Sequence, residues 1–561
     1  MSQPAARTPA DATRRGRPGV APTVFWPAAG VILAFVAVAL LAPGWLKSTL
    51  TTANTTVING LGWYYVLMVT GFVAFCLYAG FSRWGEVTLG PDDEAPAYKL
   101  PTWFAMLFAA GMGIGLVFWG VAEPLNHFAS PPPGSAGAEP GASDAVKAQN
   151  AMTTTFLHWG LHAWAIYIVV ALALALAVHR RGRPVSIRWA LEPLLGQRVR
   201  GGWGDLIDVV AIVGTLFGVA TSLGFGVTQL TAGLDFLGVA SSSITLMLVL
   251  VAGITALAMV SVVSGLDVGI KWLSNGNLVL AFVLLLLVLV LGPSVFLLRE
   301  FVQNLGAYVQ NIIGLSFRTM PFQGEVGEAW LGSWTTYYWG WWISWSPFVG
   351  VFIARISRGR TVREFVAGVL LVPTLMTFLW FSILGGTAIY RQITEGGLVV
   401  DGKVSTDTAL FTMLEGLPGG AVLAGLFLLL IVVFFVTSAD SGSLVVAMLG
   451  SGGDEVPPVW TRVLWSVLGG SIAGVLLWGG ARAGELTDGL SALQTMAILV
   501  AAPFSVVMIA MCVATSRSLH REVARLRRLE RAAFARELVE EHDLVSASGE
   551  GSSEVGKSTL A

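Results

Sequence analysis

The sequence predicts an all-α membrane protein with twelve spanning helices. Three observations carry this. Of 561 residues, 55% are hydrophobic and only 12% are charged, against roughly 25% charged in an ordinary soluble domain. The apolar residues fall in runs long enough to cross a bilayer, and a soluble core stops growing near ~250–300 residues. The 33 Lys and Arg are shared unequally between alternate loops. A net charge of −1 excludes a basic nucleic-acid binder, and high apolarity excludes a disordered chain. The 21 Trp against 9 Tyr exceed what interfacial belts require.

Residues 1–22 are polar, carry four Arg and read as a tail rather than a cleavable signal. Candidate spans then follow at about 24–43, 61–81, 101–122, 151–178, 205–233, 242–264, 276–298, 330–353, 364–388, 419–447, 460–479 and 487–514, numbered spans 1–12 below. With the N-terminus inside, 26 of the Lys and Arg lie on the inner side and 7 on the outer. This predicts a multi-pass protein of the cell membrane with both termini cytoplasmic. Residues 129–142 read as an outer loop, and 300–320 as an amphipathic helix on the outer surface. Residues 517–544 read as a basic cytoplasmic helix suited to anionic lipid, and 545–561 as disordered. Cys76 and Cys512 sit in apolar runs and read as buried small hydrophobes. The segment GSSEVGKS (551–558) matches a phosphate-loop pattern. It lacks the preceding strand and following helix that such a loop needs, so no ATP is expected.

Four spans hold features costly in lipid. Span 3 carries Gly111, Gly113 and Gly115 in mid-helix. Close packing explains such glycines, and so does a locally unwound helix whose backbone groups bind a ligand. Span 8 clusters Trp339, Trp341, Trp342 and Trp345 in its body, before Pro347. Trp faces suit quaternary ammonium, at ~0.5–2 kcal/mol per contact. Span 4 adds Trp159, Trp164 and Tyr167, and sets His158 four residues before His162 with too few ligands for zinc. Span 10 places Thr437 and Ser438 beside Asp440, where helix packing or ligation of a hard cation would use them. No nucleophile–base or metal motif of an enzyme is present, so no catalytic residue is assigned.

These segments resemble the betaine/carnitine/choline transporter (BCCT) family, and most of all its sodium-coupled glycine betaine carriers. The resemblance rests on residues 338–365 (YWGWWISWSPFVGVFIARISRGRTVREF), 111–124 (GMGIGLVFWGVAEP), 264–277 (SGLDVGIKWLSNGN) and 437–446 (TSADSGSLVV), and covers about 24–515. It implies a LeuT-like fold. The units would be a tail (1–22), two peripheral helices (23–100), a first repeat (101–298, spans 3–7), a surface helix and loop (299–329), a second, inverted repeat (330–514, spans 8–12) and a cytoplasmic tail (515–561). It also implies a homotrimer.

Carried over residue by residue, the resemblance implies an aromatic cage of Trp159, Trp164, Tyr167 and Trp342, with Trp341 and Trp345 on the inward route. Backbone amides near Ala110, Gly111 and Gly113 would meet the substrate carboxylate, and Phe118 and Phe352 would gate the outer and inner sides. A sodium site maps to Ala109, Met112 and Phe434 carbonyls with the Thr437 and Ser438 hydroxyls. A second sodium site maps to Thr215, Val219 and Phe348, so one of its hydroxyls is missing. Choline carriers of the family tend to have Asp where Gly115 stands, so a zwitterion is expected, glycine betaine before ectoine, proline or carnitine. No cofactor is expected beyond sodium as coupling ion. A sodium-independent exchanger and an osmosensing regulatory protein are the competing functions.

Overall fold

The computed structural model describes residues 19–111, 113–264, 267–483 and 486–554, with side chains described outside 110–111, 264–274, 483–488 and 543–554. Its elements are helices, and only two isolated β-bridges stand beside them among the described residues. Among the described residues, nine helices are long and apolar enough to cross a membrane, or up to eleven if each bent pair is one span. Spans 1, 2, 5 and 6 are Pro22–Leu41, Pro43–Phe81, Gly202–Phe236 and Ile244–Ser264; spans 9, 10 and 11 are Val362–Thr394, Gly420–Gly450 and Val459–Ala483. Span 8, Thr335–Ile356, is 22 residues long but is not among the apolar helices. Its Trp, Tyr and Ser lower the hydropathy, and it lies buried within the bundle, where lipid sets no requirement.

Two spans are bent. Span 3 is Leu100–Gly111 followed by Ile114–Ala129, with a bend of 68°. Span 7, Asp267–Leu291, turns by 110° into Ser294–Ser316, the helix that the sequence placed on the surface. Span 4 is interrupted as well. Asp144–Trp159 ends at Gly160, and Leu161–Ala175 begins after it. Gly160 is required there, because a Cβ would lie 2.5 Å from the Phe156 carbonyl and 2.7 Å from the Phe378 ring.

Helix contacts repeat in pairs. Span 8 packs on span 4 as span 3 packs on span 9; span 5 meets spans 11 and 12 as span 10 meets spans 6 and 7. Exchanging spans 3–7 with 8–12 leaves these contacts unchanged, which is the pattern of an inverted repeat and of the LeuT-like fold.

The loops sort onto two faces as an even number of crossings demands. On one face Ala21 N donates to the Gly450 carbonyl, and the turn after span 8 pairs with residues 87–97. Gly359 N donates to Leu89 O, Leu89 N to Arg360 O, and Ala97 N to Arg358 O. Gly359 has φ +80°, and a Cβ there would sit 2.3 Å from the Ala95 carbonyl. The SRGRT stretch thus holds two loops together, and Arg360 also stacks on Trp103 at 4.2 Å. On the opposite face Asn126 reaches Thr406, and Arg391 donates to the Thr412 and Met413 carbonyls.

The last helix, Leu486–Glu554, runs without interruption from span 12 into the basic segment and through residues 545–554. The phosphate-loop-like segment lies largely outside the described residues. Arg180, at the end of span 4, donates to Asp92 at 2.6 Å and to Glu522 of the last helix at 2.7 Å, and Arg525 pairs with both acids. Hydrogen bonding from Arg180 holds the Asp92 carboxyl below the ordinary carboxylate range. The folded-state value is depressed, so the network contributes at neutral pH and is lost as pH falls through that lowered value. Arg180→Gln should free the last helix, with tryptic cleavage at 521–531 accelerating roughly three- to tenfold at neutral pH. Unchanged cleavage would show that the ion pairs do not hold it.

Candidate functional site

The break in span 3 creates the first half of the site. Gly113 is extended (φ −152°, ψ 178°) and starts the helix Ile114–Ala129, which has no side-chain cap. A helix N-terminus presents unpaired N–H groups and about half a positive charge. Gly113 and Gly115 line a small cavity with Trp159, Trp164, Tyr167, Trp341, Trp342 and Trp345. All six aromatic side chains are buried.

The aromatic half comes from spans 4 and 8. Trp159 ends the first segment of span 4, and Trp164 and Tyr167 follow the Gly160 break. Thr377 donates to the Trp159 carbonyl at 3.2 Å, using an acceptor at the interruption. The Trp159 and Trp342 rings lie 4.9 Å apart nearly edge to face, the Tyr167 and Trp342 rings 6.3 Å, and the Trp164 and Tyr167 rings 5.5 Å. Trp341 stacks on Trp342 at 4.6 Å.

The ring N–H groups divide these aromatics. Trp342 Nε1 donates to the His158 carbonyl at 2.9 Å, and Trp159 Nε1 to Glu123 Oε2 at 2.6 Å. Trp341 Nε1 and Trp345 Nε1 are buried without a partner. The cavity measures only about 20 Å³, room for about one water. A trimethylammonium group therefore needs rings to move, and Trp341 and Trp345 have no ring N–H bond to break in doing so.

Below Trp345 a second chamber of about 110 Å³ is lined by Ala109, Phe348, Phe352, Phe434, Thr437 and Ser438, among others. This brings together the implied sodium ligands among the described residues with one aromatic from the second set. The Thr437 hydroxyl donates to the Val433 and Phe434 carbonyls at 2.9 and 3.2 Å, which leaves its lone pairs for a cation. Asp440 instead lies 3.4 Å from Arg462 of span 11. Thr215 is not among the lining residues, and its hydroxyl returns to the Ala211 carbonyl at 2.7 Å. Phe352 separates this chamber from a vestibule of about 640 Å³ lined by His179, Arg355, Arg358 and Glu455 at the arginine-rich face. Towards the other face Phe118 and Trp119 pack on Phe225 at 4.7 and 5.6 Å, and Trp380 Nε1 donates to the Leu116 carbonyl. Met112, and the side chains of Ala110 and Gly111, lie outside the described residues.

The His158/His162 pair does not converge, because the Gly160 break lies between them. His162 stacks on Trp339 at 5.4 Å, whereas His158 turns to Glu123. Sequence reasoning missed Glu123. The available signal was an ionisable residue inside a span, which is costly unless it has a task.

Fold and site are those of a membrane transporter. The description "BCCT, betaine/carnitine/choline family transporter" matches residues 23–524. The chain is 45% identical to a glycine betaine transporter of Bacillus subtilis over 91% of this chain and 96% of that protein. It is 44% identical to glycine betaine transporter 1 of Vibrio parahaemolyticus over 87% and 92%, and 53% identical to an uncharacterized transporter of Mycobacterium tuberculosis over 91% and 84%. The chain belongs to the betaine/carnitine/choline transporter family.

Gly115 has a steric role beside the electrostatic one expected for it. A Cβ there would lie 2.4 Å from Trp341 and 3.2 Å from Trp159. Gly115→Asp would therefore disturb the rings as well as add charge. Gly115→Ala, which adds no charge, should reduce osmolyte uptake about tenfold through overpacking of about 1–3 kcal/mol. Wild-type uptake in that variant would remove the steric role.

Proposed function

We propose that the protein imports a zwitterionic quaternary-ammonium osmolyte, glycine betaine, across the cell membrane by sodium symport and alternating access. The observation that carries this is the joint lining of one cavity by an uncapped helix N-terminus and a cage of Trp and Tyr faces. A carboxylate belongs at the first and a quaternary ammonium in the second. Glycine at 115 leaves that cavity without an added carboxylate for an uncompensated cation. Relatives named glycine betaine transporters support the same substrate.

Sodium would bind between spans 3 and 10 at the Ala109 and Phe434 carbonyls with Thr437 and Ser438, with Met112 as the further ligand. Ion binding there fixes the end of the first segment of span 3 relative to span 10, and so favours the substrate-competent arrangement, as coupling requires. Each sodium ion entering contributes roughly 2.3 kcal/mol per 100 mV of membrane potential. Val219 in place of a hydroxyl, and Thr215 outside the chamber, favour one ion over two. Phe352 and the vestibule form the inward route, and the Phe118–Phe225 contact the outer closure.

The arginine-rich face would be cytoplasmic, with both termini, and would meet anionic lipid through the last helix. The apolar residues exposed on Ser294–Ser316, among them Val302, Val309 and Ile313, are consistent with a homotrimer interface.

Uptake into proteoliposomes with a panel of osmolytes, with and without a sodium gradient, tests the reading. Glycine betaine should accumulate only with the gradient, and accumulation without it would leave the exchanger. Trp342→Leu should raise the apparent KM at least about tenfold; an unchanged KM would sink the cage. Thr437→Ala combined with Ser438→Ala should abolish sodium dependence, and retained dependence would move the ion site elsewhere.

A further inference from the structure

The edges of the cage rings lead to Glu123. This residue is fully buried on the second segment of span 3. Its Oε2 accepts from Trp159 Nε1 at 2.6 Å and from the Tyr338 hydroxyl at 2.5 Å. Its Oε1 lies 2.7 Å from His158 Nδ1 and 3.3 Å from His127 Nε2. His158 continues outward, with Nε2 3.0 Å from the Thr335 hydroxyl and its carbonyl accepting from Trp342 Nε1. One carboxylate thus collects spans 3, 4 and 8 and holds a cage wall directly. It reaches a second wall through the residue it fixes.

A carboxylate buried at this depth is costly unless several donors meet it. Structural filling alone does not call for one, since the aromatic packing around it is already dense. What the carboxylate adds is direction and electron density. A charge-assisted bond fixes the indole in its plane more firmly than packing does. Donation to an anion also polarises the ring, and the ring's negative face is what attracts an ammonium group. The same carboxylate orients Tyr338, whose ring stacks against Trp342 at 5.8 Å.

A metal centre is the competing explanation, because donor atoms of Glu123, His127 and His158 lie within 4.8 Å of one another. The Glu123 oxygens and both His158 nitrogens already take part in the bonds above. An ion here would displace the partners that shape the cage.

We propose that Glu123 is a positioning residue for substrate binding: through Trp159, and through His158 to Trp342, it sets the orientation of the cage. The inference rests on the osmolyte reading above.

The test uses the full chain in proteoliposomes with labelled glycine betaine. Glu123→Gln keeps the volume but replaces one acceptor oxygen with a donor. It should raise the apparent KM about tenfold while leaving the maximal rate per inserted protein within about twofold. Trp159→Phe should raise KM by itself. Glu123→Gln should add less in that background than it does alone, because the route through Trp159 is already lost and only the one through His158 remains. An unchanged KM in Glu123→Gln, or single effects that multiply in the double variant, would overturn the proposal. If Glu123→Gln does not accumulate in the membrane, Tyr338→Phe removes one donor from the same oxygen and is read in the same cycle. Wild-type vesicles that take up no betaine would instead sink the osmolyte reading.

Discussion

A zwitterion crossing a membrane would have to leave water with both charges, and the proposed transport depends above all on the interruption of span 3. Where the helix stops at Gly111 and restarts at Ile114, backbone N–H groups that would otherwise be paired become available inside the bundle. Such groups are tolerated at membrane depth only where they face a cavity or a ligand. The other features of the site are arranged around that break. The Gly160 interruption turns Trp159, Trp164 and Tyr167 toward it, span 8 brings Trp341, Trp342 and Trp345 against it, and the Ala109 end of the first segment meets the hydroxyls of span 10.

The aromatic residues are not equivalent. Trp159 and Trp342 are tied at their N–H groups, whereas Trp341 and Trp345 are not. Anchored rings suit recognition, since orientation sets the strength of a cation–π contact. Trp345, whose ring N–H has no partner, lines both the cavity and the chamber below it. Span 8 carries both kinds, with Trp341 next to Trp342 and Trp345 about one turn further on.

Much of this was legible in the sequence, for identifiable reasons. Apolar length marked most spans, and glycine spacing marked the break in span 3. Trp in the body of span 8, rather than at its ends, marked the aromatic lining of the cavity. Span 8 itself is too rich in Trp, Tyr and Ser to register by hydropathy, and it reads as a span only when its aromatic residues are counted as apolar. The Gly160 interruption was not legible, because Trp-Gly-Leu inside an apolar run has the same period as a continuous helix. That break also separates His158 from His162, which spacing alone had put on one face. Glu123 was present in a quoted motif, but its partners come from spans 4 and 8, and no spacing rule joins residues so far apart. The SRGRT stretch carried the family resemblance strongly, yet its role is to lock two loops through backbone bonds that side-chain identity does not reveal.

The central claim is that one cavity recognises both ends of a zwitterion. Calorimetric titration of the purified protein in sodium, comparing glycine betaine with choline and with the tert-butyl isostere in which carbon replaces the ammonium nitrogen, tests it most directly. Choline lacks the carboxylate, and the isostere lacks the positive charge. The account predicts that glycine betaine binds at least about tenfold more tightly than either, a difference of about 1.4 kcal/mol. Equal affinity for betaine and either analogue would contradict it, by removing the helix N-terminus or the aromatic cage from recognition.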